Sequence, residues 1–457
     1  MNFLEKRIIN YARENMSDVM HTTLNPEGPG VVRIHMIPPK INKDGLESSI
    51  AIINGQDIIP IGPSWAILLS EFIKRVNVFN GKPITEEDSE NIIKETVKSV
   101  RKLYPFVRKD VLRGDIFRIM QTFVQIARGE VPDETVEYTN IGEYADFMKA
   151  PHRMDLLVSS MAQNGNWHCN QKCVHCYAAG QIQAEEAELS TESWKKIIDK
   201  LRTIGVPQVT FTGGEPTLRD DLIELIEYSK WFVTRLNTNG LKLDKEYCEK
   251  LRNASLDSCQ ITFYSSDSNI HNELVGVDGY ARTVNGIENA LEAGLNISIN
   301  TPLCKLNSDY VSTLEFLHEK GVRYVTCSGI IASGNALNQE STDIQLSKEE
   351  IKKVLKDAVD YCYSNGMEIS FTSPGWIEPE YFKELSITQP TCGACLSNMA
   401  ITPSGKVVPC QSFLTGADMG DFLEENWECI WNSKICTDRK KYSARMSGMC
   451  PLRKEEA

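Results

Sequence analysis

Two rhythms of apolar and polar positions run along the chain. The first is extended. Residues 31–37 are rich in β-branched side chains, and Ile50-Ala51-Ile52-Ile53 is an apolar run. Asn54-Gly55 marks a tight turn before Ile58-Ile59-Pro60-Ile61. Helical spacing follows over 64–76, 86–103 and 113–127, so residues 30–128 read as a small sheet with helices. The second rhythm starts near residue 155 and alternates strand with helix. Strands are predicted at 156–160, 208–212, 233–237, 258–264, 297–301, 324–328 and 368–372. Helices are predicted between them at 191–202, 220–228, 245–251, 281–293, 309–319 and 348–364. Gly294 and Gly321 stop two of these helices just before a strand. Repeated βα units predict a parallel sheet with outer helices. Six units are too few to close an eight-fold barrel, so the expectation is an α/β fold, a partial (βα)6 TIM-like barrel with its chemistry at the C-terminal ends of the strands.

Four segments follow from this pattern: an N-terminal module at 1–128, an acidic linker at 129–150, the partial barrel at 151–375 and a cysteine-rich end at 376–457. The 457 residues carry 41% hydrophobic and 24% charged positions, an ordinary globular balance. The net charge of −13 argues against a general nucleic-acid partner, which needs a basic face. The first seven residues hold no apolar signal segment, and no run of about 18 apolar residues occurs. A cytoplasmic chain with no membrane span is expected. In that compartment the 14 cysteines read as metal ligands and not as a disulfide framework.

Cys169, Cys173 and Cys176 place three thiols within eight residues, after the first barrel strand. Soft thiolates suit zinc or an iron–sulfur cluster, and three ligands leave one metal position open. Thr212-Gly213-Gly214-Glu215-Pro216 ends the second strand, where the glycines permit close backbone approach to a ligand and Glu215 can accept a hydrogen bond from an amine. Cys392 and Cys395 precede Gly405 and Cys410, around a hairpin with Ser404-Gly405 at its turn. Cys429, Cys436 and Cys450 follow. Cys248, Cys259, Cys304, Cys327 and Cys362 stand singly on apolar segments and read as small buried hydrophobes.

The cysteine motif and the glycine loop, in this order on this pattern, resemble the radical S-adenosylmethionine (SAM) superfamily. The resemblance implies a [4Fe–4S] cluster on Cys169, Cys173 and Cys176, with SAM on the fourth iron. Gly213, Gly214, Glu215 and Pro216 would hold the amino end of SAM. His175 stands where members often carry an aromatic against adenine, and Asn239, Ser265 and Ser333 match positions lining the SAM pocket. Reductive cleavage of SAM would yield a 5′-deoxyadenosyl radical that abstracts a substrate hydrogen. The C-terminal cysteines resemble the SPASM/Twitch extension, which carries auxiliary clusters. The expectation is at least one auxiliary [4Fe–4S] cluster of the shorter Twitch type on Cys392, Cys395, Cys410 and Cys450, with Cys436 in reserve and zinc as the alternative occupant.

The strand, turn and helix around residues 58–68 resemble, more loosely, the winged-helix-like peptide-recognition element of ribosomal-peptide maturases. Such elements add a leader peptide to a sheet edge. The function implied is modification of a ribosomally made precursor peptide, with thioether formation leading and epimerisation or carbon–carbon crosslinking as rivals. A ferredoxin or flavodoxin is the expected reductant. Two other readings stay open: a small-molecule enzyme of the tetrapyrrole-modifying Twitch type, and a non-catalytic metal-stabilised peptide-binding scaffold.

Overall fold

The computed structural model describes residues 3–24, 31–41, 45–55, 57–79, 84–139, 141–145, 148–416, 418–445 and 448–453. Residues 1, 2 and 30, which entered the sequence reading, lie outside them. The chain divides into two compact units, Met1–Lys149 and Ala150–Ala457.

In the first unit, four antiparallel strands pair in sequence order: β1 (Met20–Leu24), β2 (Val32–Ile37), β3 (Ser49–Ile53) and β4 (Asp57–Ile61). Asn54 and Gly55 both take positive φ, 48° and 72°, which turns β3 back onto β4. Helices Pro63–Val76, Glu86–Leu103 and Lys109–Ala127 pack over the sheet and share one apolar core with Ile34, Met36, Ile53 and Ile59. Thr85 and Asp88 form a reciprocal capping box that fixes the start of the second of these helices. A helix at Phe3–Asn15 and the strand β1 have no counterpart in the sequence reading. The segment read as a linker returns to this unit. Asp133 accepts hydrogen bonds from Gln121 and Gln125, and the Thr139 amide donates to the Ile58 carbonyl on the outer edge of β4 at 3.1 Å.

In the second unit, seven parallel strands follow the predicted order: β5 (Arg153–Ser159), β6 (Gln208–Gly213), β7 (Val233–Thr238), β8 (Ser258–Thr262), β9 (Ile297–Pro302), β10 (Tyr324–Ser328) and β11 (Glu368–Phe371). Each is joined to the next through helical crossovers, which gives the six βα units of a partial barrel. The cysteine-rich end extends the same sheet. β12 (Asn398–Ile401) pairs parallel with β5, and β13 (Val407–Val408) returns antiparallel to β12 around Ser404-Gly405, making a nine-stranded sheet. Cys248, Cys259, Cys304, Cys327 and Cys362 are fully buried. No helix among the described residues is long and apolar enough to cross a membrane.

Candidate active site

The three-cysteine loop follows β5 and is held from several sides. The Lys172 and Val174 amides donate to Val275 and Leu274, at the end of a helix over Ser268–Val275. Gly276 ends that helix at φ 67°, and a Cβ there would stand 2.5 Å from the Lys172 carbonyl oxygen, so the close approach requires glycine. Asn335, beyond β10, donates its backbone amide to Cys176 O at 2.9 Å and its side-chain amide to Cys173 O. Asn170 accepts from the Asn239 side chain at 2.6 Å, which ties the loop to the end of β7. The sequence gives no role to Asn170, and places Asn335 only in a segment that matches the SAM pocket, not against the cysteine loop. Neither their type nor their spacing announces a contact between segments so far apart in the chain.

The loop brings Cys169, Cys173 and Cys176 near enough for each of the first two thiols to feel its neighbours' charge. Burial pushes the Cys169 thiol up to about 12 and raises Cys173 and Cys176 as well. Three desolvated thiols resist ionisation by themselves, and a bound cation is what makes them thiolates. Among the described residues no three His, Cys, Asp or Glu side chains converge as ligands of a single ion. A cluster asks for no such convergence, because each thiolate takes its own iron. The donor set therefore fits an iron–sulfur cluster.

The glycine loop lies beside it. The Cys169 thiol reaches Gly214 O at 3.5 Å. Gly213 has φ 130°, and a Cβ there would fall 2.2 Å from the Ser159 carbonyl oxygen, so β6 can end against β5 only through glycine. Glu215 is fully buried and accepts four hydrogen bonds from its own chain. Oε1 takes Thr217 N, Thr217 Oγ1 and Thr238 Oγ1; Oε2 takes Asn239 N at 2.8 Å. Oε2 keeps acceptor capacity for a ligand amine. Burial raises the Glu215 pKa while these donors oppose it. Pro216 opens a short 3-10 turn over Pro216–Leu218.

His175 is buried beside Tyr264, ring centroids 5.2 Å apart, and among the described residues neither ring nitrogen has a hydrogen-bond partner. Burial pulls its pKa down to about 4, so the ring is neutral and able to stack. Ser265 Oγ accepts from Asp267 N at 3.1 Å, and Ser333 O caps the short turn at Gly334–Leu337 through Ala336 N.

The C-terminal cysteines fall into two neighbouring groups. Cys410 lies within electrostatic reach of Cys392 and Cys450, and Cys450 of Cys392. Cys395, at φ 59°, donates its amide to Asn398 O and Pro409 O, which fastens it to the hairpin. Its thiol shares a hydrogen bond with Cys436, and that bond lowers the Cys436 pKa. Cys429 is exposed. Tyr177 connects the two cysteine regions. It is half-buried, lies close to Thr212, and is within electrostatic reach of Cys176, Asp155 and Cys410.

Two family matches fall on these features. Residues 168–317 match the radical SAM superfamily, and residues 392–451 match the iron–sulfur cluster-binding domain SPASM. The chain is a radical SAM enzyme with a SPASM domain, and its cofactors are SAM and a [4Fe–4S] cluster, with auxiliary iron–sulfur clusters belonging to the SPASM domain. Among curated relatives, it is 28% identical to an AdoMet-dependent heme synthase of Oleidesulfovibrio alaskensis, over 62% of this chain and 76% of the relative. It is 26% identical to a PqqA peptide cyclase of Granulibacter bethesdensis, over 58% of this chain and 71% of the relative. Its fold is similar to that of Streptococcus suis SuiB bound to S-adenosylmethionine, with TM-score 0.58 and 16% identity over 93% of this chain and 89% of SuiB. SuiB bound to its precursor peptide SuiA aligns with TM-score 0.59 and 15% identity, over 88% and 89%.

Proposed function

We propose that the enzyme modifies a ribosomally made precursor peptide, most directly by joining a cysteine sulfur to carbon in a thioether. The observation that carries this reading is the separate N-terminal unit, a four-stranded antiparallel sheet with β1 and β4 at its edges beside three packed helices. Catalysis at the cysteine loop has no need of it, whereas a sheet edge can take a leader peptide as an added strand. Tethering the leader raises the local concentration of the core peptide at the barrel. The likeness to a PqqA peptide cyclase and to peptide-bound SuiB supports the same partner.

In this reading Cys169, Cys173 and Cys176 hold the SAM-binding cluster. Gly213, Gly214, Glu215 and Pro216 take the amino end of SAM, and His175, Asn239, Ser265 and Ser333 line its remaining pocket. Cys392, Cys410 and Cys450 hold an auxiliary cluster, with Cys395 or Cys436 as the fourth thiolate. When bound, cluster and SAM supply one-electron chemistry that removes a hydrogen atom from the substrate. The protein's part is to position the groups and to keep water out. Buried apolar side chains around the loop, among them Leu157, Met161, Ala178 and Leu414, do the latter. A ferredoxin or flavodoxin supplies the electron.

Removing residues 1–149 tests the docking assignment. The remaining unit should bind and cleave SAM at the rate of the whole chain and lose most modification of a full-length precursor. Equal precursor turnover by both forms would refute it. A second reading, tetrapyrrole modification, is favoured by the likeness to heme synthases, matched over 62% of this chain.

A further inference from the structure

The inner face of the barrel carries a cluster of hydrogen-bond donors that the SAM and cluster sites do not use. On β7, Thr234 and Leu236 are fully buried on one face, so Arg235 and Asn237 point to the other. Strand register sets Asp155, Thr210 and Arg235 side by side across β5, β6 and β7, with Arg153 beside Gln208 one step below. Thr212, two residues above Thr210 on the same face, meets Tyr177 of the cysteine loop, and Asp155 lies within electrostatic reach of Tyr177 and Cys410. The cluster therefore faces the interior that both cysteine regions border.

The charges within it do not balance. Asp155 is the carboxylate of the group and is 1% exposed. It is held by Arg153, with Nε to Oδ1 at 2.8 Å. Among the described residues no ion pair or hydrogen bond closes on Arg235, and it feels repulsion from Arg153 as well as attraction to Asp155. Among the described residues two further polar atoms have no hydrogen-bond partner: Thr210 Oγ1 beside Arg235 and Gln208 Nε2 one step below, on residues 3% and 4% exposed. An amide N–H₂ and a hydroxyl can both donate, and a guanidinium can only donate. Buried donors left unmatched are costly, and the half-buried Arg235 guanidinium favours a counter-charge beside it. One ligand group would satisfy all of them. It is flat, anionic and rich in acceptors.

We infer that Arg235, with Gln208 and Thr210, forms a subsite for a substrate carboxylate. A guanidinium meets a carboxylate through two parallel hydrogen bonds, which fixes direction as well as position. The subsite deepens the proposed function and rests on its premise that substrate enters the barrel interior. The carboxylate has two sources: an acidic side chain or C-terminus of a peptide, or the propionate of a tetrapyrrole. In either case it anchors the substrate on the inner wall at β6 and β7, while the reacting carbon lies elsewhere on the molecule.

The test uses the full chain with clusters reconstituted and SAM present. Two probe pairs are titrated: a fluorescent peptide containing glutamate against the same peptide with glutamine, and coproporphyrin III against its tetramethyl ester. The carboxylate member of one pair should bind on the order of 10- to 100-fold more tightly than its neutral counterpart, the worth of a charge-assisted hydrogen bond. Arg235→Gln should remove that preference and leave iron content and SAM affinity unchanged, and Arg235→Lys should restore part of it. Preference for the acidic peptide places the carboxylate on a peptide. Preference for coproporphyrin keeps the subsite and overturns the peptide reading. The subsite is overturned if neither pair shows a preference in the wild type, or if Arg235→Gln retains it. Modification of a precursor without any carboxylate preference would sink the subsite and leave the proposed function standing.

Discussion

Glu215 shows how much one buried carboxylate can hold. Its four accepted hydrogen bonds join the end of β6 to the end of β7. Glu215→Gln puts an amide donor where at least one existing donor points. That substitution should lower unfolding stability by about 2 kcal/mol and weaken SAM binding, read by denaturant melts and by titration with SAM. The motif was legible in the sequence, but the role read from it was acceptance from a ligand amine. Its bonds within the chain come from Thr217, Thr238 and Asn239, and the last two lie at and just past the end of β7. Side-chain protonation gives a second expectation at this scale. Burial pulls His152 and His271 down to about 4 from an ordinary 6.5. A depressed folded pKa means stability that is complete above the unfolded value and drains as pH falls. The barrel unit should therefore lose stability between pH 6.5 and about 4, on the order of 3 kcal/mol for His152 alone. Thermal melts across that range check it, and a melting temperature flat down to pH 4 would contradict it.

Among elements, those with a strong local rhythm were legible. The strands of the barrel and the helices Glu86–Leu103 and Lys348–Ser364 stand where alternation and capping residues put them. Phe3–Asn15 was not legible, because its charged residues hide a narrow apolar stripe. Ser268–Val275 is short and polar, and its ending matters through the loop it supports. The pairing of β12 with β5 joins residues some 245 positions apart, by the register of Ala400 with Asp155, and no local pattern encodes such a partner. That pairing sets the hairpin cysteines against the barrel wall. Cys410→Ala should lose the auxiliary iron, about half of the total if two four-iron clusters are present, and retain SAM cleavage. Cys436→Ala and Cys395→Ala should then differ. The variant that loses the same iron identifies the fourth ligand, and iron measured with sulfide in each protein decides between them. Zinc without sulfide in the wild type would overturn the auxiliary cluster.

At the level of the whole molecule, two units with separate cores imply two tasks. The barrel unit holds the cysteine loop, the glycine loop and the SPASM cysteines, and the N-terminal unit contributes a sheet with its own helices. Cysteine spacing made the chemistry of the barrel legible from the sequence. The substrate was far less so, because recognition rests on a sheet edge and on side chains such as Arg235 whose neighbours are set by register. The measurement that tests the account most directly follows a substrate hydrogen. The precursor peptide is prepared with deuterium on its core residues and given to the reconstituted full-length enzyme with SAM and reductant. The 5′-deoxyadenosine formed should carry deuterium, and the peptide should lose a pair of hydrogen atoms in mass. Unlabelled 5′-deoxyadenosine beside an unchanged peptide would contradict peptide modification.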